Sequence, residues 1–247
     1  ITGCENVKIN GCSFYTGDDC VAGFANTNVF VTNCILNSAC SAMRFGGTNV
    51  YVEKCRIYGP CKYLFRGSLT DEEKRNGVKP ELAGHRNNML SVFTYYGDYS
   101  VGIPNRPGNI VISDCTVDGA DKLLHYNYSG NEMWQLNRPL SNISFENITA
   151  TNLLMPSILY GDKDEKVTLN MKNCNISMKN DIDNAQLIQA ANFDTITLDN
   201  VVIKNYEAEM LIKTWTDGNV KVKGLKCDKK PKSITKQADS MFDCKPI

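Results

Sequence analysis

One short pattern recurs along the chain: Asn or Thr, an aliphatic residue, any residue, a second hydrophobic residue, then a small apolar residue two or three positions on. It reads Asn6-Val7-Lys8-Ile9 with Cys12, Asn28-Val29-Phe30-Val31 with Cys34, and Asn49-Val50-Tyr51-Val52 with Cys55. Asn109-Ile110-Val111-Ile112 follows with Cys115, then Asn142-Ile143-Ser144-Phe145 with Ile148. Thr168-Leu169-Asn170-Met171 has Cys174, Thr195-Ile196-Thr197-Leu198 has Val201, and Asn219-Val220-Lys221-Val222 has Leu225 or Cys227. Successive units begin 22, 21, 60, 33, 26, 27 and 24 residues apart. All but the 60 and the 33 fit one solenoid turn of roughly 20–30 residues. The alternation inside each unit has a period of two, which predicts a strand with one buried face.

A second alternating run starts at the Cys column (Cys12 and Phe14, Cys55 and Ile57, Cys115 and Val117, Cys174 and Ile176, Val201 and Ile203). A third apolar set follows at Val21, Met43, Leu64, Leu124, Ile158, Leu187 and Leu211. Three short strands per turn predict an all-β chain wound into a single-stranded parallel β-helix of about eight coils. Coils stacked about 4.8 Å apart set like residue on like residue. The recurrent Asn then falls at a corner, where its amide bonds the coils above and below, and the Cys column becomes an internal stack. A β-sandwich does not explain one column repeated eight times.

The period breaks in three places within what reads as one domain, 1–247. Residues 68–108 read as an insertion over the cleft between the third and fourth coils. In it, Thr70-Asp71-Glu72-Glu73 has the form of a helix-capping box and Gly77 that of a helix stop. A smaller insertion at 127–139 carries Trp134 and Arg138. Residues 228–247 are Lys-rich and aperiodic and read as a closing cap. Ile1 falls inside a coil, so the expectation is that coils precede it in a longer protein.

Composition narrows the function. Lys plus Arg equals Asp plus Glu at 27 each, which argues against a general binder of nucleic acid or anionic membrane. No apolar run approaches a membrane span. The 11 cysteines include no C-x-x-C, and with two histidines they do not make a zinc pattern. They read as small buried hydrophobes; Cys227 and Cys244 are candidates for a pair.

The most pointed motif is Tyr15-Thr16-Gly17-Asp18-Asp19-Cys20-Val21-Ala22. Asp and Gly are ordinary turn residues, so a solvated turn is one reading. The other places both carboxylates in one cleft, which needs a bend or bulge at Gly17-Asp18, because neighbours on an ideal strand face opposite ways. With its coil register, this segment resembles the polygalacturonase-type glycoside hydrolases of family 28. That resemblance implies a right-handed parallel β-helix and inverting hydrolysis of a pectin-like, galacturonate-containing saccharide, in an extracellular or periplasmic setting. It implies Asp18 as the general acid and Asp19 as a helper in activating water, with no cofactor and no metal. Close carboxylates split their protonation because like charges resist joint ionisation. The family's third Asp would fall one coil earlier, before Ile1. Two departures stand out. Ser41, in Cys40-Ser41-Ala42-Met43-Arg44-Phe45-Gly46-Gly47, holds the place of the family's Gly-His-Gly histidine, and Leu64-Phe65-Arg66-Gly67 offers one Arg where the family has Arg-x-Lys.

Counting from the Cys column supplies the remaining candidates. Ten residues on come Ala22, Arg44, Phe65 and His125; seven on come Asp19, Ser41, Lys62 and Lys122; six on come Asp18, Cys40, Cys61 and Asp121. The carboxylate face would thus carry Arg44, Lys62, Lys122 and His125, with Arg66 near and His85 and Arg86 reaching over from the insertion. Cations beside carboxylates suit an anionic sugar, though a strand Lys is as readily a solubilising charge and His125 a structural histidine. Phe93, Tyr95, Tyr96 and Tyr99 read either as a sugar-stacking platform or as the insertion's own core. Two other functions fit the same residues. One is a β-helix polysaccharide lyase, with carboxylates binding calcium and a Lys or Arg abstracting a proton; the other is a carbohydrate-binding solenoid without chemistry.

Overall fold

The structure, a computed structural model, describes residues 1–65, 86–97, 106–130, 133–135, 138–179, 186–205, 210–229 and 231–237. They form a parallel β-helix of eight coils with three strands per coil. The first face stacks Glu5–Asn10, the later halves of Val21–Thr32 and Ser41–Glu53, then Gly108–Ser113, Asn142–Glu146, Val167–Lys172, Phe193–Asp199 and Asn219–Lys223. The second runs from Ser13–Thr16 and Ile35–Ser38 through Arg56–Tyr58 to Lys226–Cys227. The third stacks the early halves of the two long strands on Met89–Tyr95, Ala120–Asn127, Ser157–Tyr160, Ile188–Ala191, Met210–Thr214 and Ser233–Gln237.

The register is the one that the repeat dictates. Val7, Val29, Val50, Ile110, Ile143, Leu169, Ile196 and Val220 lie one over another. Removing such columns from water is the main favourable term holding the coils together. Cys34, Cys55, Cys115 and Cys174 are buried free thiols in line with Ile148 and Val201, while Cys12, on the first coil, is exposed. Cys244 lies outside the described residues, and its pairing with Cys227 with it.

The corner asparagines form the expected ladder. Asn28 Nδ2 donates to Asn6 Oδ1 at 3.1 Å, Asn49 to Asn28 at 2.9 Å and Asn109 to Asn49 at 2.8 Å. All four have positive φ, a conformation that Asn tolerates better than most residues. A second ladder precedes the Cys column. There Gly11, Asn33, Lys54, Asp114, Asn147, Asn173, Asn200 and Gly224 all turn the chain with φ between 52° and 66°. Asn147, Asn173 and Asn200 each donate to the residue one coil below, Asp114, Asn147 and Asn173, at 2.9–3.1 Å.

Three expectations change. Met89–Tyr95, inside the supposed insertion 68–108, is the third strand of the third coil. Its Phe93 takes the interior place assigned to Leu64, which is exposed. On Ser157–Tyr160 the neighbours Ser157 and Leu159 are buried, and Ile158 points outward. Finally, Ser233–Gln237 pairs in parallel with Met210–Thr214, so the chain after 228 first completes the eighth coil. The capping-box segment Thr70–Gly77, Tyr99 and residues 238–247 lie outside the described residues.

Candidate functional site

The second and third faces meet at the corner between Thr16 and Val21, where the chain bends at Gly17, Asp18 and Cys20. The bend is a corner rather than a bulge. It brings one ligand atom each of Asp18, Asp19 and Cys40 within 4.8 Å of one another. Thr16 Oγ1 and Ser38 Oγ both donate to the Asp18 carbonyl, at 2.5 and 2.6 Å, which fixes the turn. Asp18 Oδ1 accepts from the Asp19 N–H at 3.0 Å.

The two carboxylates differ in environment. Asp18 is half-buried. The Asp19 side chain is only 4% exposed and Arg44 Nε stands 3.1 Å from its Oδ2; its Oδ1 accepts from the Ser41 N–H at 3.0 Å. The Arg44 Nε–H is not aimed at Oδ2 and has no hydrogen-bond acceptor, so the pair is held by charge alone. Burial raises the Asp19 carboxyl above its usual range; Arg44 opposes the rise and Asp18 adds to it. Burial, with Asp19 beside it, pushes the Cys40 thiol up to about 12, and burial pushes Cys20 to about 11. Neither thiol is a thiolate nucleophile at neutral pH.

The outward column of the third face runs Ala22, Arg44, Thr94, His125, Ile158. Arg44 and His125 therefore share a face, two strands or about 10 Å apart. Ser41, Ser91 and Lys122 share the position three residues earlier. Ser41 is buried and exchanges a hydrogen bond with Thr94 at 2.9 Å, which continues to Ser91 at 2.6 Å. At Ser41, then, the third face carries a chain of hydroxyls, Ser41–Thr94–Ser91. Lys122 is nearly buried. Beside it Asp121 is 4% exposed; Asn88 Nδ2 donates to its Oδ2 at 2.8 Å and its Oδ1 has no partner. Burial raises the Asp121 carboxyl, against the pull of Asn88, Lys122 and Arg86. Asp18, Cys40, Leu90 and Asp121 fall in line, which puts Asp121 about 14 Å from Asp18.

Lys62 and Phe65 do not join these columns. The coil's third strand starts only at Met89, so Ser91 and Thr94 occupy the positions that counting from Cys55 gave to Lys62 and Phe65. Lys62 is exposed, with its ammonium 5.4 Å from the Tyr63 ring centre. Cys61 turns inward, its thiol 3.1 Å from the Thr16 carbonyl. Arg86 lies over the Phe65 ring at 4.1 Å and is close enough to Cys40 and Asp121 to lower both. Arg66 and His85 lie outside the described residues.

The aromatic cluster divides. Phe93 and Tyr95 are fully buried in the coil core. Tyr96 stays on the surface, with the Arg44 guanidinium 4.7 Å from its ring centre and Phe24 packed edge-to-face at 4.9 Å. Trp134, 40% exposed, sits on the short turn Met133–Gln135. Sequence reasoning named Arg44 and Tyr96 separately but missed Phe24 and the set that the three form. The alignment of Tyr95-Tyr96-Gly97 with Phe45-Gly46-Gly47 is the signal that would have found it. Comparison of the chain with protein-family models, with curated proteins and with solved structures finds no match.

Proposed function

We propose that the Asp18–Asp19–Arg44 corner is the saccharide site of a glycoside hydrolase that acts on a galacturonate-containing chain. One observation carries the reading: two carboxyls share an outward corner, one half-open and one buried, and the buried one stands against a guanidinium that itself lies on an aromatic ring. The half-open Asp18 is the acid that protonates the leaving oxygen. Asp19, locked by Arg44 and Ser41, is the buried carboxyl beside it. Arg44 and Tyr96 offer a uronate ring a cation and a stacking surface.

Asp18 and Asp19 are closer than the roughly 6.5–9.5 Å that inverting hydrolases keep between acid and base. Inversion requires a further, water-activating carboxylate opposite Asp18. The test is reducing-end release from oligogalacturonate. Asp18→Asn is expected to lower turnover at least a hundredfold with binding retained; near-normal turnover in that variant removes the acid role.

A second reading rests on the near-complete burial of the Asp19 side chain and its clamp. An immobilised carboxylate suits ligand positioning as well as chemistry, so the same corner serves a binding solenoid. Saturable oligogalacturonate binding with no reducing ends released, by the unaltered protein, selects that reading. Calcium-dependent appearance of unsaturated products absorbing in the near ultraviolet selects a lyase.

A further inference from the structure

The third face twice sets an edge-to-face aromatic pair, two strands apart, beside a cation. Near the carboxylates, Phe24 and Tyr96 meet edge-to-face across Gly46, with Arg44 over the Tyr96 ring. A Cβ at Gly46 would lie 1.8 Å from the Tyr96 carbonyl oxygen, so the position between the two rings takes no side chain. Further along, Tyr160 and Trp215 meet edge-to-face across the buried Ala191, with ring centres 5.5 Å apart and planes at 87°. The Lys213 ammonium lies 5.1 Å from the Trp215 ring centre. Lys213 stands in the same outward column as Arg44, five strands on through Thr94, His125, Ile158 and Gln189. Five strand spacings make about 24 Å.

The second set differs from the first in two ways. Among the described residues no carboxylate stands within ion-pair distance of Lys213, whereas Arg44 has Asp19. In addition, the Trp215 Nε1–H is buried and has no acceptor, in a residue 7% exposed. Native structures rarely leave such a donor without a partner. The neighbouring amide is already in use: Gln189 Oε1 accepts from the Tyr160 hydroxyl at 3.0 Å and its Nε2 donates to Gln186 at 3.0 Å. This holds the Tyr160 ring while the indole donor stays unspent.

We propose that Tyr160, Lys213 and Trp215 form a second, non-catalytic subsite for an acidic saccharide. The ligand carboxylate pairs with Lys213 and draws its ammonium off the indole. A ligand oxygen then accepts from Trp215 Nε1–H while the sugar ring packs on the half-buried Tyr160 ring. The subsite rests on the reading of this face as saccharide-binding, but it requires no hydrolysis. A chain held at both ends of the face would be presented to the carboxylate corner over a span of about five coils.

The chain has two tryptophans, so the indole region of a ¹⁵N–¹H correlation spectrum contains one probe at this subsite and one control at Trp134. The experiment titrates hexagalacturonate, and separately neutral cellohexaose, into the Asp18→Asn protein, which prevents turnover. The expected result is a saturable shift of the Trp215 indole peak with the acidic oligomer only. Trp215→Phe, which keeps a ring and deletes the donor, and Lys213→Ala are each expected to weaken that phase of binding about tenfold. Equal shifts with cellohexaose would overturn the acidic assignment. A silent Trp215 peak while the oligomer binds elsewhere would overturn the subsite and leave the reading of the carboxylate corner standing. Hydrolysis measured separately on the unaltered protein reports on that corner alone.

Discussion

Two corners of this β-helix follow opposite rules. Where the first face turns into the second, every coil spends one left-handed residue, Gly11 or Asn33 or Asp114 or Asn200, and from the second coil to the seventh a buried Cys, Ile or Val follows it. Where the second face turns into the third, the sequence does not repeat: Gly17-Asp18-Asp19-Cys20 lies under Ala39-Cys40-Ser41. The first corner meets its hydrogen-bonding needs with the coils above and below. The second leaves a buried carboxylate opposite a guanidinium whose Nε–H has no acceptor. Repetition marks positions held by stacking; its loss marks positions that stacking does not explain, and those are where chemistry is to be sought.

Moving a residue of the second corner into the first is expected to have the largest effect. Cys115→Asp places a carboxylate in the fully buried column between Cys55 and Ile148 and should cost about 3 kcal/mol or more, read as a lower urea midpoint or failure to fold. Next is Asn28→Ala. It removes the bond that Asn28 donates to Asn6 and the one that it accepts from Asn49, at a left-handed position. A loss of about 2–3 kcal/mol is expected, with Asn28→Gly recovering the conformational part.

Smaller still is the pH dependence of the second corner. Burial holds the Asp19 proton to a higher pH in the folded chain than the ordinary value of 3.8. The folded state then binds more protons than the unfolded one, and stability falls as pH rises from that value through the folded one. Asp19→Asn should flatten this decline in urea midpoints measured across acidic pH, with Asp121, raised in the same direction, supplying what remains. The smallest stability effect belongs to Asp18→Asn, expected within about 0.5 kcal/mol of the unaltered protein although it removes turnover.

The same contrast explains what the sequence made legible. The Asn and Cys columns recur, so eight coils and their register could be read from residue identity. The left-handed ladder was just as visible, as Gly, Asn, Lys or Asp before each Cys-column residue, but it repeats a conformation rather than an amino acid. Asp18 and Asp19 stood out as an adjacent pair in one short motif, and Arg44 was found because 22 residues separate its coil from theirs. Counting failed at Lys62, Phe65 and Cys61, because the long connection enters the third coil before its last strand and resets the phase at Met89. Tyr160, Lys213 and Trp215 escaped notice because they belong to an outward column whose members differ in type. Only the strand register shows them as a second aromatic pair beside a cation, like that of Phe24, Arg44 and Tyr96.

The most direct test is a crystal structure of the Asp18→Asn protein with trigalacturonate. The expected result is a uronate carboxylate at the Arg44 guanidinium, a sugar ring against Tyr96 and a glycosidic oxygen within hydrogen-bond reach of residue 18. Trigalacturonate bound only away from this corner, or absent from it at concentrations that saturate binding in solution, would contradict it.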